Sequence, residues 1–212
     1  ILERYNLKNK PSIVLKNPVY INDYPDEVDM CSKMKIVCAG RLDKNKNFIG
    51  VIRAFSLIES NYENIILEIY GDGPELKNLK NEAEKLNIEN QVYFLGVTNN
   101  IVEALVGARC FVLFSNQEGY PNILLEAMAV GVPVIASDCP VGACSELIKE
   151  GETGLLVSVG SVNELANKID YILSNLERSK IMAEKARYVR TANHKSIICR
   201  SFRDFLEVIV GN

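Results

Sequence analysis

Two glutamates and two cations are the residues of this chain whose type and spacing suit chemistry. Glu118 and Glu126, with seven residues between them, belong to the stretch Ser115-Asn-Gln-Glu-Gly-Tyr-Pro-Asn-Ile-Leu-Leu-Glu126, and Arg41 and Lys46 to Gly40-Arg-Leu-Asp-Lys-Asn-Lys46. Glu126 is the one charged residue between positions 123 and 134. A helix that is apolar all round is normally buried, and a carboxylate carried into it needs donors or a cation against a desolvation cost on the order of several kcal/mol. The vicinal hydroxyls of a sugar or ribose would supply two donors. A narrow solvent face or a core arginine would serve equally well, and the pattern does not choose between them. Arg41 and Lys46 have the charge to neutralise a pyrophosphate, although basic residues in a polar loop are commonly only solvated.

The elements that must hold these residues can be read from the hydrophobic pattern. The apolar run 110–114 reads as a buried parallel strand, and Pro121 suits the first turn of a helix. Gly131 then supplies a left-handed cap, Pro133 cannot continue the helix, and a strand follows over 132–136. Glu118 and Gly119 therefore lie on a strand-to-helix loop, where the free N–H groups of residues 119–123 suit a phosphate or a developing anion. Upstream, 35–39 reads as the first strand, and apolar residues at 48, 51, 52 and 55 mark the helix after it. Gly40, Arg41 and Lys46 thus sit at a strand's carboxyl end, where open α/β sheets bind ligands. A second strand over 65–70 runs into Gly71-Asp-Gly-Pro74 and a helix apolar at 76, 79, 83 and 86. Leu76 stands where a dinucleotide fingerprint needs its third glycine, so a tight turn is the better reading. A strand over 92–95, a short helix over 100–106, a turn-rich loop over 138–146, a strand over 154–157 and helices from 162 to about 210 complete the pattern. Near the start, 12–15 reads as a short strand before Asn17-Pro18, and 20–32 as a polar loop.

Composition narrows the classes. With 212 residues, 48% hydrophobic and 24% charged, the chain is an ordinary globular one, long enough for one large α/β domain or two small ones, and its net charge of −3 offers no general attraction to nucleic acid or an anionic membrane. No apolar run is long enough for a membrane span, and no secretory signal pattern is present. The six cysteines, at 31, 38, 110, 139, 144 and 199, lack metal-ligand spacing and read as reduced thiols of a cytoplasmic protein. His194 is the single histidine, so there is no Ser–His or Cys–His dyad. Alternating strands and helices predict a doubly wound, Rossmann-like parallel sheet.

The glutamate pair, embedded in E-G-Y-P-N-I-L-L-E-A-M-A-V-G-V-P-V-I-A, resembles the signature of retaining glycosyltransferases of family 4 (glycosyl transferases group 1). The resemblance runs from about Tyr5 to the C-terminus, through V-x-x-N-P-V at residues 14–19 and through Glu146, Gly151 and the strand at 154–157. It implies the C-terminal, donor-binding half of a GT-B enzyme. Residues 1–32 would be an inter-domain entry segment, 33–212 the nucleotide-sugar domain with its C-terminal helices, and the acceptor-binding N-terminal domain would lie outside this chain. Carried over position by position, Arg41 and Lys46, beside Gly40, would grip the donor pyrophosphate, and Glu118 would face the donor sugar; these three charged residues are the expected catalytic group. Gly119, Tyr120, Pro121, Asn122 and Ile123 would line the donor site, Glu126 would meet the ribose hydroxyls, and the loop near V-x-F-L-G, with Phe94, would lie against the base.

The implied reaction transfers a hexosyl or N-acetylhexosaminyl unit from a nucleotide sugar, UDP-linked first and GDP-linked next, to a polysaccharide, glycolipid or glycan acceptor. It needs no metal or other cofactor, and it leaves peripheral association of the full-length protein with the inner face of the membrane open. Two other classes stay in view. A nucleotide-sugar epimerase of the same fold would release epimer or free sugar without acceptor, and a non-catalytic nucleotide-binding module would do no chemistry at all. On this reading Glu118→Ala leaves UDP binding almost unchanged and lowers turnover in the two-domain protein, because Glu118 faces the sugar.

Overall fold

The computed structural model describes residues 11–19, 24–25, 34–140 and 142–210. Its centre is a sheet of six parallel strands: β1 (Lys35–Ala39), β2 (Ile66–Tyr70), β3 (Val92–Gly96), β4 (Cys110–Leu113), β5 (Val134–Ser137) and β6 (Leu155–Val157), in the order β3-β2-β1-β4-β5-β6. Every residue of β1, β4 and β5 is buried, as central strands covered on both faces require, so they read as continuous apolar runs. Successive side chains go to opposite faces. Ile36, Cys38, Leu67, Ile69, Val112 and Ile135 pack on one side with α1 (Phe48–Ser56), α2 (Leu76–Lys85) and α6 (Val162–Ser174). Val37, Ala39, Phe111, Leu113, Val134 and Ala136 pack on the other with α4 (Asn122–Val130), α5 (Ala143–Leu147) and the ends of α7 (Leu176–Ala186) and α8 (Val189–Ala192). A short α3 (Ile101–Leu105) leads into β4, and α9 (Lys195–Val210) has no buried residue.

The strand order decides where a ligand can sit. From β1 the chain steps outward through β2 and β3, then returns to the other side of β1 as β4. The loops after β1 and β4 therefore diverge, and a crevice opens between the carboxyl ends of the two strands.

The helix after β4 ends as its sequence requires. Gly131 is left-handed (φ 88°), its N–H reaches Met128 O at 3.1 Å, and Val132 N reaches Ala127 O at 3.2 Å, a Schellman closure. Because Val132 is used in that closure, β5 begins at Val134 rather than at 132. Arg187 and Arg190 donate to the carbonyls of Val130 and Ala129, placing two cations at the helix's negative end.

One element read from the sequence is not there. Residues 12–15 are exposed and form no strand, and among the described residues none pairs with them; the bridge nearby is Val19 with His194. Most of the 20–32 loop lies outside the described residues.

Candidate active site

A cleft of about 520 Å³ occupies the crevice. The end of β1 contributes Ala39, Gly40 and Arg41, the end of β2 Tyr70, Gly71 and Asp72, the segment after β3 Val97, Thr98, Asn99 and Ile101, and α4 contributes Ile123 and Glu126. The glycines let three strand ends converge. Gly40 N donates to Tyr70 O at 3.0 Å and Gly71 N to Gly96 O at 2.7 Å, and a Cβ on Gly71 (φ 135°) would lie 1.9 Å from Gly40 O. Only a residue without a side chain fits there.

Glu126 faces this cleft from α4, all of whose other residues beyond Asn122 and Ile123 are buried. Among the described residues no side chain or N–H meets its carboxylate, and the core arginine offered by the sequence pattern is not beside it. Burial pushes its carboxyl pKa up. A half-buried, unpartnered carboxylate opening on a cleft at the switch point of the sheet is an acceptor in want of donors.

Beyond Gly40 lies a second group. The aliphatic part of Lys46 passes over Gly40, where an added Cβ would come within 3.5 Å of Cε. Lys46 Nζ reaches Glu118 Oε1 at 2.5 Å, and Ser115 Oγ, fully buried at the end of β4, donates to the same oxygen at 2.6 Å. Three further hydrogen bonds join the loops after β1 and β4: Asn45 Nδ2 to Gln117 O at 2.9 Å, Asn116 N to Asn45 O at 2.7 Å and Asn116 Nδ2 to Lys44 O at 2.9 Å. Arg41 extends into solvent at the rim, 75% exposed, with Asp43 Oδ2 at 3.8 Å. Its freedom to turn toward a ligand contrasts with the fixed Lys46.

The start of α4 completes the site. Pro121 is the N-cap, and among the described residues the N–H groups of Gly119, Tyr120, Asn122 and Ile123 have no acceptor. Among the described residues, none beyond its chain neighbours comes within 4 Å of a Cβ built on Gly119, and its φ is not left-handed. Folding does not ask for glycine there, so Gly119→Ala is expected to change unfolding free energy by less than about 0.5 kcal/mol in urea melts. Any loss of anion binding in that variant would then come from closeness of approach.

The structure thus brings Gly40, Arg41, Ile123 and Glu126 to one cleft and sets Lys46, Glu118, Gly119 and the start of α4 beside it. Phe94 is elsewhere. It lies within β3, packs on the α1–α2 face of the sheet, and has Lys80 6.0 Å from its ring centre. Alternation along the strand sends it away from the cleft, and Val97 and Thr98, just past the strand's end, take that place. Tyr70 and Asp72 were also missed, although each is the last residue of a strand or close behind it, a positional signal the sequence carries. Tyr70 is pushed up to about 12 by burial and the Glu68 carboxylate, to which its hydroxyl donates at 3.1 Å.

Cys139 and Cys144 are buried, and burial raises the Cys144 thiol further from ionisation. Among the described residues no group of three or more His, Cys, Asp and Glu side chains is arranged to hold a metal ion, and no helix is long and apolar enough to cross a membrane.

Comparison with known proteins gives the family and the fold. The profile of the family described as glycosyl transferases group 1 matches residues 31–189. N-acetyl-alpha-D-glucosaminyl L-malate synthase of Bacillus anthracis is 36% identical over 144 residues, 68% of this chain and 37% of that protein. The N-acetylgalactosamine-N,N'-diacetylbacillosaminyl-diphospho-undecaprenol 4-alpha-N-acetylgalactosaminyltransferase of Campylobacter jejuni is 29% identical over 214 residues, covering 100% of this chain and 57% of its own length. The chain therefore spans less than two thirds of either relative. Among solved structures, a TarM variant of S. aureus in complex with Fondaparinux, alpha-GlcNAc-glycerol and UDP superposes with a TM-score of 0.86 at 22% identity, over 96% of this chain and 41% of that one.

Proposed function

The chain belongs to the glycosyl transferases group 1 family, with the α/β sheet of a GT-B glycosyltransferase domain, and from that premise we propose that its cleft holds the nucleotide of a nucleotide-sugar donor in a retaining hexosyl- or N-acetylhexosaminyltransferase. The observation that carries this reading is Glu126, an unpartnered carboxylate whose pKa burial raises, aimed into the cleft at the switch point. Ribose hydroxyls would donate to it, with the base toward Val97 and Thr98. The diphosphate then runs past Gly40 toward the start of α4, where Lys46, Arg41 and the free N–H groups of Gly119, Tyr120, Asn122 and Ile123 can take the charge that builds on the leaving phosphate. Two cations and a helix N-terminus fill the role a divalent metal would otherwise have. Glu118 stands at the sugar end. In line with the family resemblance, the acceptor hydroxyl would attack on the leaving-group side, with no covalent glycosyl-enzyme intermediate.

UDP-linked donors stand first and GDP-linked ones next, a ranking supported by the UDP in the TarM complex. The acceptor, a polysaccharide, glycolipid or glycan, is assigned to a further domain across the cleft, and the whole enzyme to the cytoplasmic side, where its buried thiols stay reduced.

A calorimetric screen of UDP, GDP, ADP and uridine against this chain tests the reading. UDP is expected to bind, weakly, and more tightly than uridine, while incubation with UDP-sugar and acceptor yields no transfer, because positioning the acceptor and excluding water need a second wall to the cleft. Equal affinity for UDP and uridine would remove the phosphate site, and turnover by this chain alone would remove the need for the second domain.

A further inference from the structure

Asn193 is 1% exposed and stands at the end of α8, remote in sequence from the cleft, yet it ties together two segments of the chain. Its Nδ2 donates to Asn17 O at 3.0 Å and to the Tyr120 hydroxyl at 2.9 Å, and its backbone carbonyl accepts from Val19 N at 2.9 Å. Asn17 closes the circuit, donating from Nδ2 to Asn122 Oδ1 at 2.6 Å. Tyr120 and Asn122 flank Pro121 in the loop whose N–H groups are free. The same short helix also holds the other end of α4, since Arg190 Nε donates to Ala129 O at 2.7 Å while its second nitrogen donates to Pro25 O at 2.7 Å.

We propose that Asn193 is a positioning residue for the anion-binding loop, and that residues 17–19 and the loop 119–122 are coupled through it. The inference rests on the diphosphate site proposed above. A buried side-chain amide that donates to two segments at once costs free energy to break from either side. If the loop is ordered by diphosphate, Asn193 and Asn122 are held, and the entry segment is held with them. If the entry segment is displaced, Tyr120 loses its donor and the loop's N–H groups lose their common direction. Coupling of this kind is reciprocal, so whatever moves residues 17–19 tunes donor affinity, and donor binding resists that movement.

The test compares Asn193→Ala, Tyr120→Phe and the double variant with the parent chain, reading amide exchange at residues 119, 120, 122 and 123 and at Val19, and the affinities for UDP and uridine. Each single variant is expected to speed exchange in the loop and to weaken UDP about three- to tenfold, the worth of one neutral hydrogen bond, with uridine unchanged and the double variant no worse. UDP should slow exchange at Val19 in the parent but not in Tyr120→Phe. Loosening of Val19 alone with an unchanged loop, or equal losses of UDP and uridine, would overturn the proposal and leave Asn193 a structural residue. Should the parent not prefer UDP over uridine, the donor-site reading fails, and the exchange measurements on the free chain still decide whether the loop depends on Asn193. Tyr120→Phe keeps the ring and carries the test if Asn193→Ala does not fold.

Discussion

Lys46→Ala weakens UDP binding by about 1.5–3 kcal/mol, one to two decades in affinity, and leaves uridine binding unchanged: this is the expected result of removing a fixed, charge-assisted donor to phosphate. The structure adds a term absent from the sequence reading. Lys46 is held by Glu118 at 2.5 Å, so an arriving diphosphate must draw the ammonium away from a carboxylate or share it. Glu118→Gln frees the cation and removes a like charge, a repulsion on the order of 1 kcal/mol across a few ångströms at a dielectric between protein surface and water. UDP should therefore bind Glu118→Gln a few-fold more tightly than the parent, whereas the sequence led us to expect that Glu118→Ala leaves UDP binding almost unchanged. In the Lys46→Ala background the Glu118→Gln step should tighten UDP again, because the carboxylate otherwise faces phosphate without its cation. Calorimetry on the four proteins with UDP and uridine reads this directly. Weaker UDP binding by Glu118→Gln would show that the ion pair organises the site instead of competing for it.

Glu126→Gln should separate stability from binding. Burial holds the folded-state pKa of Glu126 above its unfolded value. The ionised form is thus the one the fold disfavours, and this contribution to stability is least favourable at neutral pH. It improves as pH falls through the folded pKa, and the gain is complete below the unfolded one. Glutamine removes the charge, so the variant should melt at a higher temperature than the parent near pH 7, with the difference shrinking in acid. UDP binding should move the other way, losing about 1.5–3 kcal/mol as the charged acceptor for two hydroxyls is replaced by a neutral one. The parent's UDP affinity should also fall on acidification at a higher pH than an ordinary carboxylate would require. A variant that is less stable and binds UDP normally would make Glu126 a structural residue.

The two expectations differ in what exposed them. Glu126 was singled out by the sequence because a charge in an apolar helix is anomalous wherever that helix packs. The Lys46–Glu118 pair was not, although both residues were named, because 72 positions separate them. Phe94 failed for a related reason. Strand alternation predicts two faces, but which face of β3 is turned to the α1–α2 layer depends on its register with β2, where Phe94 pairs with Ile69.

By itself the sequence determined the local grammar: buried strands where apolar residues run unbroken, a Schellman end at Gly131 where only glycine tolerates the left-handed backbone, and a loop of glycines, cations and glutamates at strand ends. These follow from short-range sterics and from the burial of side chains near in sequence. Only the tertiary structure decided the order β3-β2-β1-β4-β5-β6, which opens the cleft, the meeting of Lys46 with Glu118 and Ser115, and the tie from Asn17 through Asn193 to Tyr120. Hydrogen bonds between segments remote in sequence depend on the docking of whole elements, and docking is chosen by the summed burial of many side chains, which no single stretch of residues encodes.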